Sequence, residues 1–295
     1  MLPGSSNGPG PGTGGDAPVC YRHPDRETGV SCARCGRPVC PDCMTGAAVG
    51  FQCPECVGGG AARPARPASS RLTAHPMVAG APVTVVLAGL NVLVFLFTQY
   101  LAPSWQMRLG LYSYVPAPGL SVGVAAGPSE WYRLLTSMFV HAGFLHVATN
   151  LVSLLVLGPP LERVLGRGRF LALYLVSGLA GNALAFLVAG GALYSVGASG
   201  AIFGLLGATA VLVRFNRAPL GPVMALLVFN LVVTFSISWI DWRAHVGGLV
   251  AGAVMAAGMV YAPRAHRGVV QVLTAAVVLA VVVGAVVVGT ARLGG

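Results

Sequence analysis

The sequence predicts an all-α polytopic membrane protein, seven transmembrane helices preceded by a small cysteine-rich domain. Three observations carry this reading. Of 295 residues, 55% are hydrophobic and only 9% are charged, with a mean hydropathy of +0.76; soluble domains do not have that balance. From residue 82 onward come seven apolar runs, each long enough for the roughly 17–25 residues of a membrane-spanning helix. All seven cysteines fall between Cys20 and Cys56.

Residues 1–19 are a Gly/Pro/Ser-rich tract with almost no apolar side chains to bury, which predicts a disordered N-terminus. The tract has neither the basic n-region nor the apolar h-region of a signal peptide. Residues 20–56 form the cysteine-rich domain, and 57–80, rich in Gly, Ala, Pro and Arg, read as a flexible linker. The apolar runs then span about 82–102, 142–160, 170–190, 197–214, 219–238, 243–262 and 269–290. The long connection 103–141 carries Trp105, Trp131 and Tyr132, side chains suited to a membrane–water interface.

Every one of the 18 basic residues is Arg. With the abundance of Ala, Gly, Pro and Val, this points to a GC-rich bacterial genome and hence to a bacterial plasma membrane. If the N-terminus is cytoplasmic, the inner segments carry ten arginines (63, 66, 71, 163, 167, 169, 214, 217, 264 and 267) and the outer ones four (108, 133, 243 and 292). The positive-inside rule therefore places the N-terminus in the cytoplasm and the C-terminus outside. The same distribution accounts for the net charge of +10 without a nucleic-acid partner.

The cysteine spacing is Cys20-x-x-His23, Cys32-x-x-Cys35, Cys40-x-x-Cys43 and Cys53-x-x-Cys56. Four pairs supply eight ligands, enough for two tetrahedral zinc ions, Zn2+, in a structural role. Thiolate ligation suits a reducing compartment, in agreement with a cytoplasmic N-terminus. So short a segment with few apolar residues cannot fold on its own core, so the metal would supply folding free energy. The segment resembles a B-box zinc finger, in which ligand pairs interleave. That resemblance implies Cys20, His23, Cys40 and Cys43 on one ion and Cys32, Cys35, Cys53 and Cys56 on the other; sequential pairing is the alternative. The expected role is contact with an unknown cytoplasmic protein, since a redox role fits an eight-ligand set poorly.

Four polar residues stand inside the apolar runs. His146 and Asn150 lie near the start of the second, Ser199 near the start of the fourth and His245 near the start of the sixth. Polar side chains in lipid are costly unless they serve a site. With the topology above, these three runs all travel inward, so at 1.5 Å per residue the four lie roughly 4–12 Å below the outer edge of a ~30 Å core. His146 and Asn150, four apart, share a helix face. A serine in a membrane helix can simply bond a backbone carbonyl. At one level with two histidines and an amide, it acquires a chemistry. His245 is the obvious base for the Ser199 hydroxyl. The Asn150 amide, an N–H of His146 and the backbone N–H of Ser199 can receive an oxyanion. Gly197 and Gly200 permit a tight bend and close approach of a substrate. Small residues at Gly200-x-x-x-Gly204 and Ala244-x-x-x-Gly248-x-x-x-Gly252 would let the two helices bearing Ser199 and His245 pack closely. Asp241, four residues before His245, reads as the acid of a triad or, preferably, as a helix N-cap. Glu162 reads as a structural partner for a nearby Arg.

Taken in order, Glu130-Trp131-Tyr132-Arg133-Leu134-Leu135-Thr136-Ser137-Met138-Phe139-Val140-His141, His146-x-x-x-Asn150, Leu161-Glu162-x-x-x-Gly166, Gly197-Ala198-Ser199-Gly200 and Ala244-His245-Val246-Gly247-Gly248 resemble the rhomboid intramembrane serine proteases. The resemblance implies a rhomboid-like six-helix core over 81–262, with 263–295 supplying one further C-terminal helix. It implies Ser199 as nucleophile and His245 as general base in a dyad without an acid. His146, Asn150 and the Ser199 backbone would stabilise the oxyanion, and His141, Gly197, Ala198 and Gly200 would line the site. It also implies a long first loop lying partly in the membrane, structural roles for Arg133 and Glu162, and no cofactor for catalysis. One departure is Tyr132, where the family often has Trp directly before the Arg. The expected activity is endoproteolysis of transmembrane protein substrates in the lipid bilayer, near their outer ends. The alternative is a catalytically inactive rhomboid-like protein that binds transmembrane helices; the presence of both Ser199 and His245 argues against it. A transporter would place its polar residues nearer the midplane.

Overall fold

In the computed structural model, residues 18–47, 50–58, 80–113, 115–117, 120–124, 127–189, 193–237 and 240–294 are described. Residues 1–17 and 59–79, where the sequence suggests a disordered tail and a linker, lie outside them. The chain divides into two units, 1–72 and 73–295.

The first unit is built on two short antiparallel pairs. β1 (Val19–Cys20) pairs with β2 (His23–Glu27), and β3 (Thr45–Gly46) with β4 (Phe51–Gln52); one turn of helix, α1 (Pro54–Gly58), follows. Its interior consists of Cys20, Cys32, Cys40, Cys43 and Cys53 around a fully buried Val39. Burying one valine contributes about 1.5–3 kcal/mol, whereas ordering backbone costs about 1–2 kcal/mol per residue. The unit therefore depends on whatever holds its cysteines together.

The second unit is a helical bundle. It begins with α2 (Pro82–Leu96), prolonged by a π-helical turn (Phe97–Leu101). A connection of short elements follows: α3 (Trp105–Leu109), β5 (Leu111–Tyr112), the hairpin of β6 (Val115–Ala117) and β7 (Leu120–Val122), and α4 (Arg133–Thr136). Then come α5 (Phe144–Leu165), α6 (Arg167–Ala189), β8 (Tyr194–Ser195), α7 (Ser199–Phe215), α8 (Gly221–Ser236), α9 (Trp242–Val260) and α10 (Arg267–Gly294). Seven apolar helices thus fall on the seven apolar runs. Among the described residues five are long and apolar enough to cross a membrane, α2 being counted with its π-helical turn to Leu101; α7 and α8 are shorter, with 17 and 16 residues. The small β pairs, absent from an all-α expectation, are confined to connections. One of them matters for position: β5 pairs with β8, tying the long first connection to the segment that leads into α7.

The connection is held by polar groups, the buried Arg133 chief among them. Arg133, 3% exposed, donates from Nε to Glu130 at 2.5 Å and from Nη1 to the carbonyls of Met107 and Gly110 at 2.6 and 3.0 Å. Tyr132 donates its hydroxyl to the Arg108 carbonyl at 3.0 Å. Glu162 serves the bundle in another way. Its carboxylate accepts from the backbone N–H of Val83 (2.9 Å), and from the N–H and hydroxyl of Thr84 (both 2.8 Å). It therefore caps the first turn of α2, whose amides have no partner within their own helix. These donors go beyond the arginine pairing that the sequence suggests for it.

α7 is the central helix, packed against α5, α6, α8 and α9. Its contact with α9 is backbone to backbone. A Cβ on Gly248 would collide with the Gly200 carbonyl oxygen, and one on Gly252 with the Gly204 carbonyl oxygen. Close packing of this kind holds helices together in lipid, where no hydrophobic driving force separates helix from solvent. Gly252→Val is expected to destabilise the protein by about 1–3 kcal/mol through overpacking, read as a lowered Tm of the purified protein in detergent. An unchanged Tm would mean that the two backbones are not in contact.

Candidate active site and metal-ligand clusters

The N-terminal ends of α5, α7 and α9 meet. Ser199 is the first residue of α7, His146 and Asn150 stand in the first two turns of α5, and His245 in the first turn of α9. The joint between α5 and α7 is Gly197, which has φ +115°, a conformation that only glycine adopts readily. A Cβ there would lie 2.6 Å from His146 Nε2 and 3.5 Å from Asn150 Nδ2. Gly197 donates its N–H to the Ser137 carbonyl at 2.9 Å. The joint between α7 and α9 is Gly200, where a Cβ would lie 3.2 Å from the Ala244 carbonyl oxygen. Ala198 is buried beneath this turn.

Asn150 donates one amide proton to the His146 carbonyl at 3.1 Å; its amide carries a second. His141, fully buried, packs edge-on against the His146 ring with centroids 5.1 Å apart and bonds the Phe139 carbonyl through Nδ1 at 3.1 Å. Its Nε2 is buried with no hydrogen-bond partner among the described residues.

His245 is 6% exposed. Its ring stacks on Phe203, one turn beyond Ser199, with centroids 4.1 Å apart and planes 15° apart. Its Nδ1 lies 2.8 Å from Thr234 Oγ1 on α8. Among the described residues the Ser199 hydroxyl makes no hydrogen bond to His245; such bonds often tighten only when substrate is bound. Asp241 has the geometry of an N-cap: it is the capping residue of α9 and accepts from the Arg243 N–H at 3.2 Å. The group on His245 Nδ1 is a threonine, not this carboxylate.

Three neighbours are missing from the sequence reading. Phe203 carries a signal, the i, i+4 spacing from Ser199 on one helix face. Asn182 on α6 donates to the Leu134 carbonyl and Ser137 Oγ at 2.7 and 2.9 Å, fixing the strand of chain that receives Gly197; nothing in its local sequence indicates this. Thr234 carries no signal either, because a threonine in a membrane helix ordinarily bonds the carbonyl four residues back, and this one also does so.

In the first unit the eight ligand-type residues gather as two sets, Cys20, His23, Cys40 and Cys43, and Cys32, Cys35, Cys53 and Cys56, with ligand atoms within 4.8 Å of one another in each. The pairs interleave. His23 Nδ1 lies 3.9, 3.3 and 3.4 Å from the sulfurs of Cys20, Cys40 and Cys43, and the Cys35 and Cys53 sulfurs are 3.8 Å apart. A tetrahedral zinc ion with its usual bond lengths requires separations of about 3.6 Å for S···N and about 3.8 Å for S···S. All seven cysteines are free thiols. Their protonation is split: the Cys53 N–H, donating to Cys32 at 3.3 Å, draws the Cys32 thiol down to about 6, while burial and the neighbouring Cys40 and Cys20 push Cys43 up to about 11. Thiolates packed this closely cannot all ionise without a cation between them, so both sets could hold a metal ion.

Comparison with known proteins gives one family. A model described as Rhomboid domain matches residues 128–262. YdcA of Bacillus subtilis (strain 168), provisionally named a rhomboid protease, is 35% identical over 182 residues, covering 59% of this chain and 86% of YdcA. Rhomboid protease GluP of the same organism is 39% identical over 135 residues, covering 44% of this chain and 26% of GluP. Rhomboid-type serine protease 2 of Emericella nidulans is 30% identical over 158 residues, covering 52% and 31% respectively. The chain therefore spans most of YdcA but less than a third of the other two.

Proposed function

The chain belongs to the rhomboid family, and on that premise we propose that it is an intramembrane serine endopeptidase that cuts transmembrane segments of other membrane proteins with a Ser199–His245 dyad. It is a multi-pass membrane protein; in the proposed orientation it sits in a bacterial plasma membrane with its N-terminus in the cytoplasm. The observation that carries the reading is the meeting of three helix ends at two glycines: Gly197, whose missing side chain leaves room for His146 and Asn150 two residues from Ser199, and Gly200, which lets Ala244, beside His245, approach. In the reaction, His245 Nε2 takes the proton of Ser199 Oγ as the oxygen attacks the scissile carbonyl carbon. The negative charge moves to the carbonyl oxygen, where the Ser199 N–H, the second Asn150 amide proton and a ring N–H of His146 receive it. The imidazolium returns its proton to the leaving amine, and the C–N bond breaks. Water then repeats the sequence on the acyl-enzyme, releasing the new carboxylate and free Ser199.

The two cysteine sets are proposed to hold two structural zinc ions in a B-box-like finger spanning 20–56, with a cytoplasmic protein as its partner. When bound, zinc would supply the cohesion that a core of one buried valine does not. Catalysis uses none of it.

Ser199→Ala and His245→Ala are each expected to abolish cleavage of a generic transmembrane substrate by the purified protein, and only wild type should react with a fluorophosphonate probe. Full cleavage by Ser199→Ala would favour a helix-binding protein without protease activity. Asn150→Ala is expected to lower kcat by about 10²–10³, or about 2.7–4 kcal/mol; an unaltered rate would reduce Asn150 to a packing amide. Elemental analysis should find two zinc ions per chain and one in Cys43→Ser. Chelation should remove both and unfold 20–56 while cleavage continues. One ion in wild type would refute the paired arrangement, and reversible loss of cleavage on chelation would make the finger regulatory.

A further inference from the structure

Thr234 is the buried side chain of α8 among its described residues, at 3% exposure. Its Oγ1 has two partners: the Asn230 carbonyl oxygen at 2.7 Å and His245 Nδ1 at 2.8 Å. A hydroxyl has one proton, and a carbonyl can only accept. The proton therefore goes to Asn230, and the second contact requires the ring to donate, Nδ1–H to Oγ1. That fixes His245 in the tautomer with hydrogen on Nδ1 and the lone pair on Nε2, while Phe203, stacked on the ring, fixes its plane.

We propose that Thr234 is a positioning residue for proteolysis: by accepting the Nδ1–H of His245, it holds the ring in the one neutral tautomer that can take a proton from Ser199. The proposal rests on the dyad reading above. In a Ser-His-Asp triad a carboxylate fills this place. Here Asp241 is turned to the start of its own helix, accepting from the Arg243 N–H and lying 3.5 Å from the Arg243 guanidinium. A hydroxyl orients the ring as a carboxylate does but brings no charge into the membrane. It also places the control of the base on a different helix from the base. α8 exposes Val228, Phe229, Val232 and Phe235, so the bond from Thr234 is its polar attachment at the site.

The test compares kcat and KM of wild type, Thr234→Ser, Thr234→Val and Ser199→Ala, each full length in detergent, on one generic transmembrane substrate. Thr234→Val keeps the shape and loses the acceptor; it is expected to lower kcat about 10- to 100-fold, a fraction of what a general base contributes, with KM within about twofold. Thr234→Ser should stay within about threefold of wild type. Nitrogen-15 NMR of the histidine rings, with His245 assigned by its absence in His245→Gln, should find hydrogen on Nδ1 in the wild-type protein, a reading that needs no variant at 234. Wild-type kcat in Thr234→Val while Ser199→Ala is dead, or a neutral His245 carrying its hydrogen on Nε2, would overturn the role of Thr234 and leave the protease reading standing. Cleavage by Ser199→Ala would overturn the protease reading itself.

Discussion

α7 and α9 run with their backbones in contact because glycines on one helix face glycines on the other, Gly200 and Gly204 against Gly248 and Gly252. This contact sets the distance between the helix that begins at Ser199 and the helix that carries His245. It extends sideways into α6, where a Cβ on Gly181 would lie 2.5 Å from the Ala244 carbonyl oxygen. Three helices thus locate the backbone beside His245 to within the width of a methyl group. In water, such a seam would be supported by apolar burial; in lipid it rests on van der Waals contact and polar bonds, which is why so little lateral freedom is left.

Around that seam, buried polar side chains serve position more than cohesion. Arg133 gathers the long connection by its carbonyls. Asn182 holds Leu134 and Ser137, and Ser137 in turn receives the Gly197 N–H. The chain of contacts runs from a loop, through α6, to the turn before Ser199. Each link satisfies a backbone group that would otherwise be costly away from water.

Much of this is legible in the sequence because the bilayer imposes simple demands. Length and apolarity mark the seven helices, and the expense of polar atoms in lipid singles out His146, Asn150, Ser199 and His245. Small residues four apart mark the α7–α9 seam. What remains hidden is non-local. Charge alone reads Glu162 as the partner of a nearby Arg; that its carboxylate also receives the amides of Val83 and Thr84, 79 and 78 residues earlier, has no local signal. Thr234 behaves as any helix threonine does and reveals itself only once α9 is alongside. In the cysteine domain the spacing alone yields pairs; their interleaving comes from the resemblance to a B-box finger, and the folded chain gathers the same two sets.

The cap on α2 has a further meaning in time. The carboxylate that closes its first turn is synthesised 78 residues after the Thr84 amide it receives. At roughly 5–20 residues per second, this is an interval of about 4–16 seconds. Until then the leading amides of α2 lack this acceptor. The first of the seven apolar helices is thus closed at its leading turn by a side chain near the end of the second.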